Sequence, residues 1–156
     1  MRRDEAEAAL RAHYSTAIQP LVSDMVEFLS MARADLGGDL DRLLVLLVIA
    51  LQTASSPEFR SLPAEVARTG DDLDVFEGRP TNISSVADFT GIPRETVRRK
   101  VTELLEAGFI HRTGNDLKMS PEAPRRLLRL VDKVIADAAH AHALVDELGA
   151  RKKSEA

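Results

Sequence analysis

Asn82-Ile83-Ser84-Ser85-Val86-Ala87-Asp88-Phe89-Thr90-Gly91-Ile92-Pro93-Arg94-Glu95-Thr96-Val97-Arg98-Arg99-Lys100 holds one short helix, a turn and the start of a second helix. Asn82 stands where its side-chain oxygen can accept the free N–H of Ser85, which starts a helix of about two turns ending near Thr90. Val86 and Phe89 are expected to form its inward face, and Ala87 is small enough for a second helix to cross closely. Gly91 falls where the helix must stop and the backbone turn, at a positive φ that is cheap only for glycine. Pro93 favours an extended Ile92 and starts the next helix without losing a hydrogen bond.

The second helix is expected over Arg94 to Ala107. Val97, Val101, Leu104 and Leu105 recur at i, i+4, i+7 and i+8, one buried stripe. At about 100° per residue the opposite face carries Glu95, Thr96, Arg99, Thr102 and Glu103. Arg98 lies on its flank and Arg94 at its start. Gly108 ends the helix; Phe109 to Arg112 reads as a strand, Thr113 to Asp116 as a tight turn, and Leu117 to Ser120 as the returning strand. Helix, glycine turn, arginine-rich helix and basic hairpin make a winged helix-turn-helix, and the chain is expected to be mainly α with this small β-hairpin wing.

These residues also carry a resemblance. Ala87, Gly91, Ile92, Thr96 and Val97 match the pattern of bacterial helix-turn-helix repressors. Pro93-Arg94-Glu95-Thr96-Val97-Arg98-Arg99 resembles the recognition helix of the Crp/Fnr family, and Leu104-Leu105-Glu106-Ala107-Gly108-Phe109-Ile110 is similar to the helix-to-wing junction of MarR-type regulators. The resemblance covers roughly a quarter of the chain. No cyclic-nucleotide-binding barrel accompanies it, so a MarR-like helical dimer is the closer comparison for the whole chain. What that resemblance implies is a transcriptional regulator; a small-molecule effector stays open beside plain core packing.

A length of 156 residues suits one domain with a real core. The net charge is −4, unevenly distributed: residues 1–80 carry 8 Lys/Arg against 14 Asp/Glu, whereas residues 81–156 carry 13 against 11. Phosphate binding must therefore come from local geometry and from doubling in a dimer. Cysteine is absent, which excludes disulfides, thiol redox sensing and thiolate metal sites. His140 and His142 diverge by about 200° on a helix and do not make a shared metal site. His111 falls in the first wing strand. No nucleophile–base set, phosphate loop or paired carboxylates stand out, so neither an enzyme nor a cofactor is expected. The longest apolar run, Leu43 to Leu51, is nine residues, about half a membrane span. The first residues are too acidic for a signal peptide; a cytoplasmic protein without a membrane partner is expected.

Residues 1–38 read as an N-terminal helical region for dimerisation or packing, with Pro20 kinking or restarting the helix. Leu21, Met25, Phe28, Leu29, Ala32 and Leu36 recur at helical spacing until Gly37-Gly38. The DNA-binding domain spans 39–120, with an insertion at about 55–80. Asp39 caps a helix from Leu40 to about Thr53 that is apolar nearly all round and so expected to be buried on most sides. In the insertion, Leu62 to Arg68 suits a short helix, Val75-Phe76 are expected to tuck into the core, and Gly78-Arg79-Pro80 leads in as a strand beside the wing. Residues 121–149 form the C-terminal dimerisation helix, started by Ser120-Pro121-Glu122 and ended by Gly149. In it Leu127, Val131, Val134, Ala138, Ala141, Val145 and Leu148 alternate by four and three, the repeat of a narrow helix–helix seam. Packing within the chain competes with a dimer for that seam. Residues 150–156 read as a tail.

The functional expectation is a homodimer on double-stranded DNA with a near-palindromic operator, half-sites about one helical turn apart. Arg94, Glu95 and Arg99 are the expected base readers, since Arg forks onto guanine and Glu accepts from cytosine. Thr96, Arg98 and Lys100, with Asn82 and Ser84, would hold phosphates. Arg112, Asn115 and Lys118 would set the wing on the backbone or in the minor groove. The alternative is a winged helix that binds protein and not DNA.

Overall fold

The computed structural model describes residues 2–71 and 78–154, so the expectation for Val75-Phe76 lies outside the described residues. The chain is mainly helical with one two-stranded antiparallel sheet. It divides into two compact units: residues up to Met31 together with those from Arg129 onward, and residues Ala32–Leu128 between them.

In the first unit, α1 (Arg3–Ala12) ends at His13 and α2 (Tyr14–Asp35) begins at once. The break thus falls at His13, and Pro20 sits inside α2. The other long helix of this unit is α9 (Leu128–Ser154), the last in the chain. It runs through Gly149, the residue expected to end it; a helix interior tolerates glycine at a cost of about 1 kcal/mol. Polar groups join α9 to α2. Lys133 Nζ lies 2.8 Å from Glu27 and 2.7 Å from Asp137, and His140 Nδ1 lies 2.7 Å from Asp24. The Asp137 and Glu27 carboxylates hold the Lys133 ammonium well above the usual lysine range.

The expected seam, which begins at Leu127 just before α9 and continues along it, divides by burial. Leu127, Val145 and Leu148 are buried inside the chain, Leu127 in the second unit and the other two in the first. Val131 and Val134 remain 40% and 51% exposed, and Ala138 is exposed too. Ile135 joins them, and Val22, Met25, Val26 and Leu29 of α2 form a second exposed apolar stripe at the same spacing.

The second unit is organised by α3 (Leu40–Ala54), capped as expected by Asp39, whose carboxylate accepts the Arg42 N–H at 2.9 Å. Val45, Leu46 and Ile49 are fully buried. Leu40, Leu44, Leu47 and Leu51, however, form a stripe that stays exposed, so α3 is not buried on most sides. After it come α4 (Pro57–Arg60) and α5 (Ala64–Thr69), the latter close to its expected place. The helix α4 is not among those expected, although Ser56-Pro57-Glu58 is a helix start, capped by Ser56 through the Phe59 N–H. Gly70 closes α5 at φ +74 and meets the backbone of Pro121 so tightly that a Cβ would overlap its carbonyl oxygen.

Next stand α6 (Ile83–Thr90), α7 (Arg94–Glu106), β1 (Ile110–Thr113), β2 (Asp116–Met119) and α8 (Ala123–Arg126). Asn82 caps α6 through Ser85 N–H at 3.0 Å, and Gly91 turns the chain at φ +73. Val86 and Ala87 face inward, but Phe89 is 66% exposed. It lies about 60° from Val86 on the side away from Ala87, at the edge of the buried face. Val97, Val101 and Leu104 are buried as expected. β1 and β2 pair with Ile110 opposite Met119 and Thr113 opposite Asp116. Thr81 bridges Leu117 through two backbone hydrogen bonds, a strand-like contact one residue past the Gly78-Arg79-Pro80 stretch expected to make it.

Thr53 ties α3 to the hairpin. Its buried hydroxyl donates to Ile49 O at 3.1 Å and accepts the Met119 N–H at 3.3 Å. Thr53→Val keeps the shape and adds an apolar methyl, yet strands that N–H. It should destabilise the fold by about 1–3 kcal/mol in a urea titration; an unchanged midpoint would mean the hydrogen bond contributes nothing.

Candidate nucleic-acid interface

Three segments of the second unit converge on one polar cleft of about 550 Å³: the start of α6 (Asn82, Ile83, Ser84), the first turns of α7 (Arg94, Arg98), and the hairpin (Arg112, Asn115). Local rules explain the convergence. Arg94 and Arg98 are four apart and share a face of α7. The Asn82 cap brings the first turn of α6 to the same side, and Gly114, at φ +61, turns the hairpin back.

The cleft carries three guanidinium groups and no carboxylate among its lining residues. Arg94 is exposed and makes no ion pair among the described residues. Arg98 is 3.6 Å from Glu95, with both side chains largely in solvent, a pair worth a few tenths of a kcal/mol at most. Arg112 is held by its own turn: Nε donates to Gly114 O at 2.7 Å, and Nη2 lies 3.5 Å from Asn115 Oδ1. Permanent cations, amides and a hydroxyl aimed into one groove can hold a polyanion at several points.

Of the residues expected at the site, the structure brings Asn82, Ser84, Arg94, Arg98, Arg112 and Asn115 together. Glu95 and Arg99 are exposed on the next ridge of α7, outside the cleft lining, and Thr96 is half-buried. Lys118 is half-buried opposite His111 in the hairpin. Burial, and then the nearby Lys118, push the His111 pKa below its ordinary value, which favours the neutral ring. The cleft also includes Ile83, which residue type alone does not suggest. No protein-family model matches the chain, and no curated protein or solved structure matches it either.

Lys100 departs from its expected role. Its side chain is 7% exposed and lies outside the cleft lining, paired with Asp39 and with Glu103 at 2.9 Å. A phosphate cannot reach an ammonium so enclosed. The sequence holds the signal: Lys100 is three residues after Val97 and four before Leu104, within the buried arc of α7. Arg42 extends the cluster, 4.0 Å from Glu103, with its Nε buried and without a hydrogen-bond partner among the described residues.

The Lys100 ammonium holds the Asp39 carboxyl below its ordinary 3.8, and the Asp39 and Glu103 carboxylates hold Lys100 above its ordinary 10.5. A depressed carboxyl contributes stability above its unfolded pKa and loses it as pH falls through the folded value; a raised ammonium contributes below its unfolded pKa and loses it as pH rises through the folded value. This cluster should therefore leave stability flat from about pH 5 to 8 and weaken it in acid. Asp39→Asn, which retains the cap, should flatten the acid limb in urea titrations across pH. An unchanged limb would contradict the assignment.

Proposed function

We propose that this protein is a DNA-binding transcriptional regulator whose helix-turn-helix, with a β-hairpin wing, meets double-stranded DNA through the α6–α7–hairpin cleft. The observation that carries the reading is the cleft's composition: Arg94, Arg98 and Arg112 line it beside Asn82, Ser84 and Asn115, and no acidic side chain is among its described lining residues. In a chain of net charge −4, cations segregated to one concave face are what a phosphate backbone requires. With α7 directed into the major groove, Arg94, Glu95 and Arg99 on its exposed faces are the base readers. Arg98, Thr96, Asn82 and Ser84 hold phosphates, and Arg112, Asn115 and Lys118 set the wing on the backbone or in the minor groove.

A purely protein-binding winged helix would present an apolar recognition face. The exposed residues of α7 are Arg94, Glu95, Arg98, Arg99, Thr102 and Glu106, none of them apolar. This favours DNA.

The same reading makes the protein a homodimer, MarR-like in plan. Val22, Met25, Val26 and Leu29 of α2 and Val131, Val134, Ile135 and Ala138 of α9 leave two apolar stripes on the first unit. Exposed apolar surface of that continuity marks an interaction site, and a second copy supplies the same two stripes. Two recognition helices then read a near-palindrome.

The test is a salt titration of affinity for duplexes enriched from a random-sequence library. Arg98→Ala should weaken binding to all duplexes and lower the log–log salt slope by about 1, whereas Arg99→Ala should cost about 1–3 kcal/mol and relax one base pair. Sedimentation of the complex should show two chains on one duplex. Affinity that does not respond to salt would defeat the proposal.

A further inference from the structure

The half-buried charge cluster around the buried Lys100 has no part in the cleft, yet it ends on a residue the DNA reading uses. Asp39 caps α3 directly after the Gly37-Gly38 turn and pairs with Lys100. Lys100 holds Glu103 through both carboxylate oxygens, at 2.9 and 3.1 Å. Glu103 in turn lies 3.9 Å from Nε of Arg99, whose side chain is 68% exposed. An unbroken line of charge therefore runs from the start of α3, across α7, to a guanidinium on the outer face of that helix.

Stability is a weak reason for such an arrangement. Lys100 is desolvated while Asp39 and Glu103 stay about a third exposed, so the cost of burying the ammonium offsets much of a partly screened attraction. What the cluster does supply is direction. A carboxylate gripped twice by a buried ammonium has few orientations left, and Glu103 is the ion-pair partner that the otherwise exposed Arg99 finds on α7. A long exposed arginine loses rotamer freedom when it forks onto a base; a fixed carboxylate within ion-pair range of its Nε biases the side chain beforehand, while its terminal nitrogens have no partner among the described residues.

Resting on the regulator reading above, we propose that Lys100 is a positioning residue for sequence discrimination: clamped by Asp39, it orients Glu103, which orients Arg99 toward a base edge. Lys100 touches no DNA.

The experiment uses the full chain and duplexes enriched by the wild-type protein from a random-sequence library. Lys100→Met should lower the preference for the selected duplex, over a copy changed at the base pair Arg99 reads, by about tenfold, the scale of a single base-reading arginine. Its salt slope should stay that of wild type. Asp39→Asn should act in the same direction while keeping the α3 cap, and it carries the test should Lys100→Met not fold. Placed in an Arg99→Ala background, either change should remove no further discrimination.

Additive losses in that background would overturn the proposal. So would a melting temperature that falls while discrimination is unchanged, the outcome of a merely structural role. A salt slope lowered by about 1 would make Lys100 a phosphate contact instead. If Arg99→Ala relaxes one base pair and Lys100→Met relaxes none, the positioning role fails and the regulator reading stands; if the wild-type protein enriches no duplex, both fail.

Discussion

The second unit hangs on the burial of one helix. The inner face of α3, with Val45, Leu46 and Ile49 at its centre, packs against α6, α7 and β2 together. Three elements that touch a common support keep fixed angles to one another, because packed side chains leave little room to slide. Polar contacts then pin the ends. Asp39 and Lys100 join the start of α3 to α7, and Thr53 joins its last turn to the hairpin. A cleft between α6, α7 and the hairpin keeps its shape because each of its walls rests on this helix.

Much of that arrangement is legible from residue types. Asn82, Gly91 and Pro93 mark the boundaries of α6 and α7 because cap, left-handed turn and helix start are local requirements that distant packing rarely overrides. The Val97–Val101–Leu104 stripe identifies the inner face of α7 for a similar reason. Elsewhere the signals mislead. Hydrophobicity assigns Phe89 to the inside, yet it stands at the edge of the buried face of α6 and is left in solvent. The apolar character of α3 suggests burial all round, but one row of leucines faces outward. Pro20 and Gly149 read as breaks, and long helices run through both. In residues 55–71 short helices depend on close tertiary contacts, such as Gly70 against Pro121, that no periodicity announces.

The cleft itself is half legible. Six of the residues expected to touch DNA meet there, because two of its walls come from α6 and α7 and one from the hairpin next in sequence. Lys100 shows where counting charges fails. It belongs to the basic run Arg98-Arg99-Lys100, but position on the helix, not charge, decides which of the three faces solvent. An ammonium with the look of a phosphate ligand is instead the partner of two carboxylates. Net charge is a poor guide for the same reason: an acidic chain can still present three guanidinium groups to a single groove with no carboxylate among its lining residues.

A duplex seated in this groove is the central requirement of the proposed mechanism. Amide chemical shifts of the labelled protein, followed as an enriched duplex is added, test it directly. The largest changes are predicted to fall on Asn82 to Ser84, Arg94 to Arg99 and Arg112 to Lys118, and to fade as salt is raised. Changes centred on the exposed leucines of α3, or on Phe89, with those three segments unmoved, would contradict it.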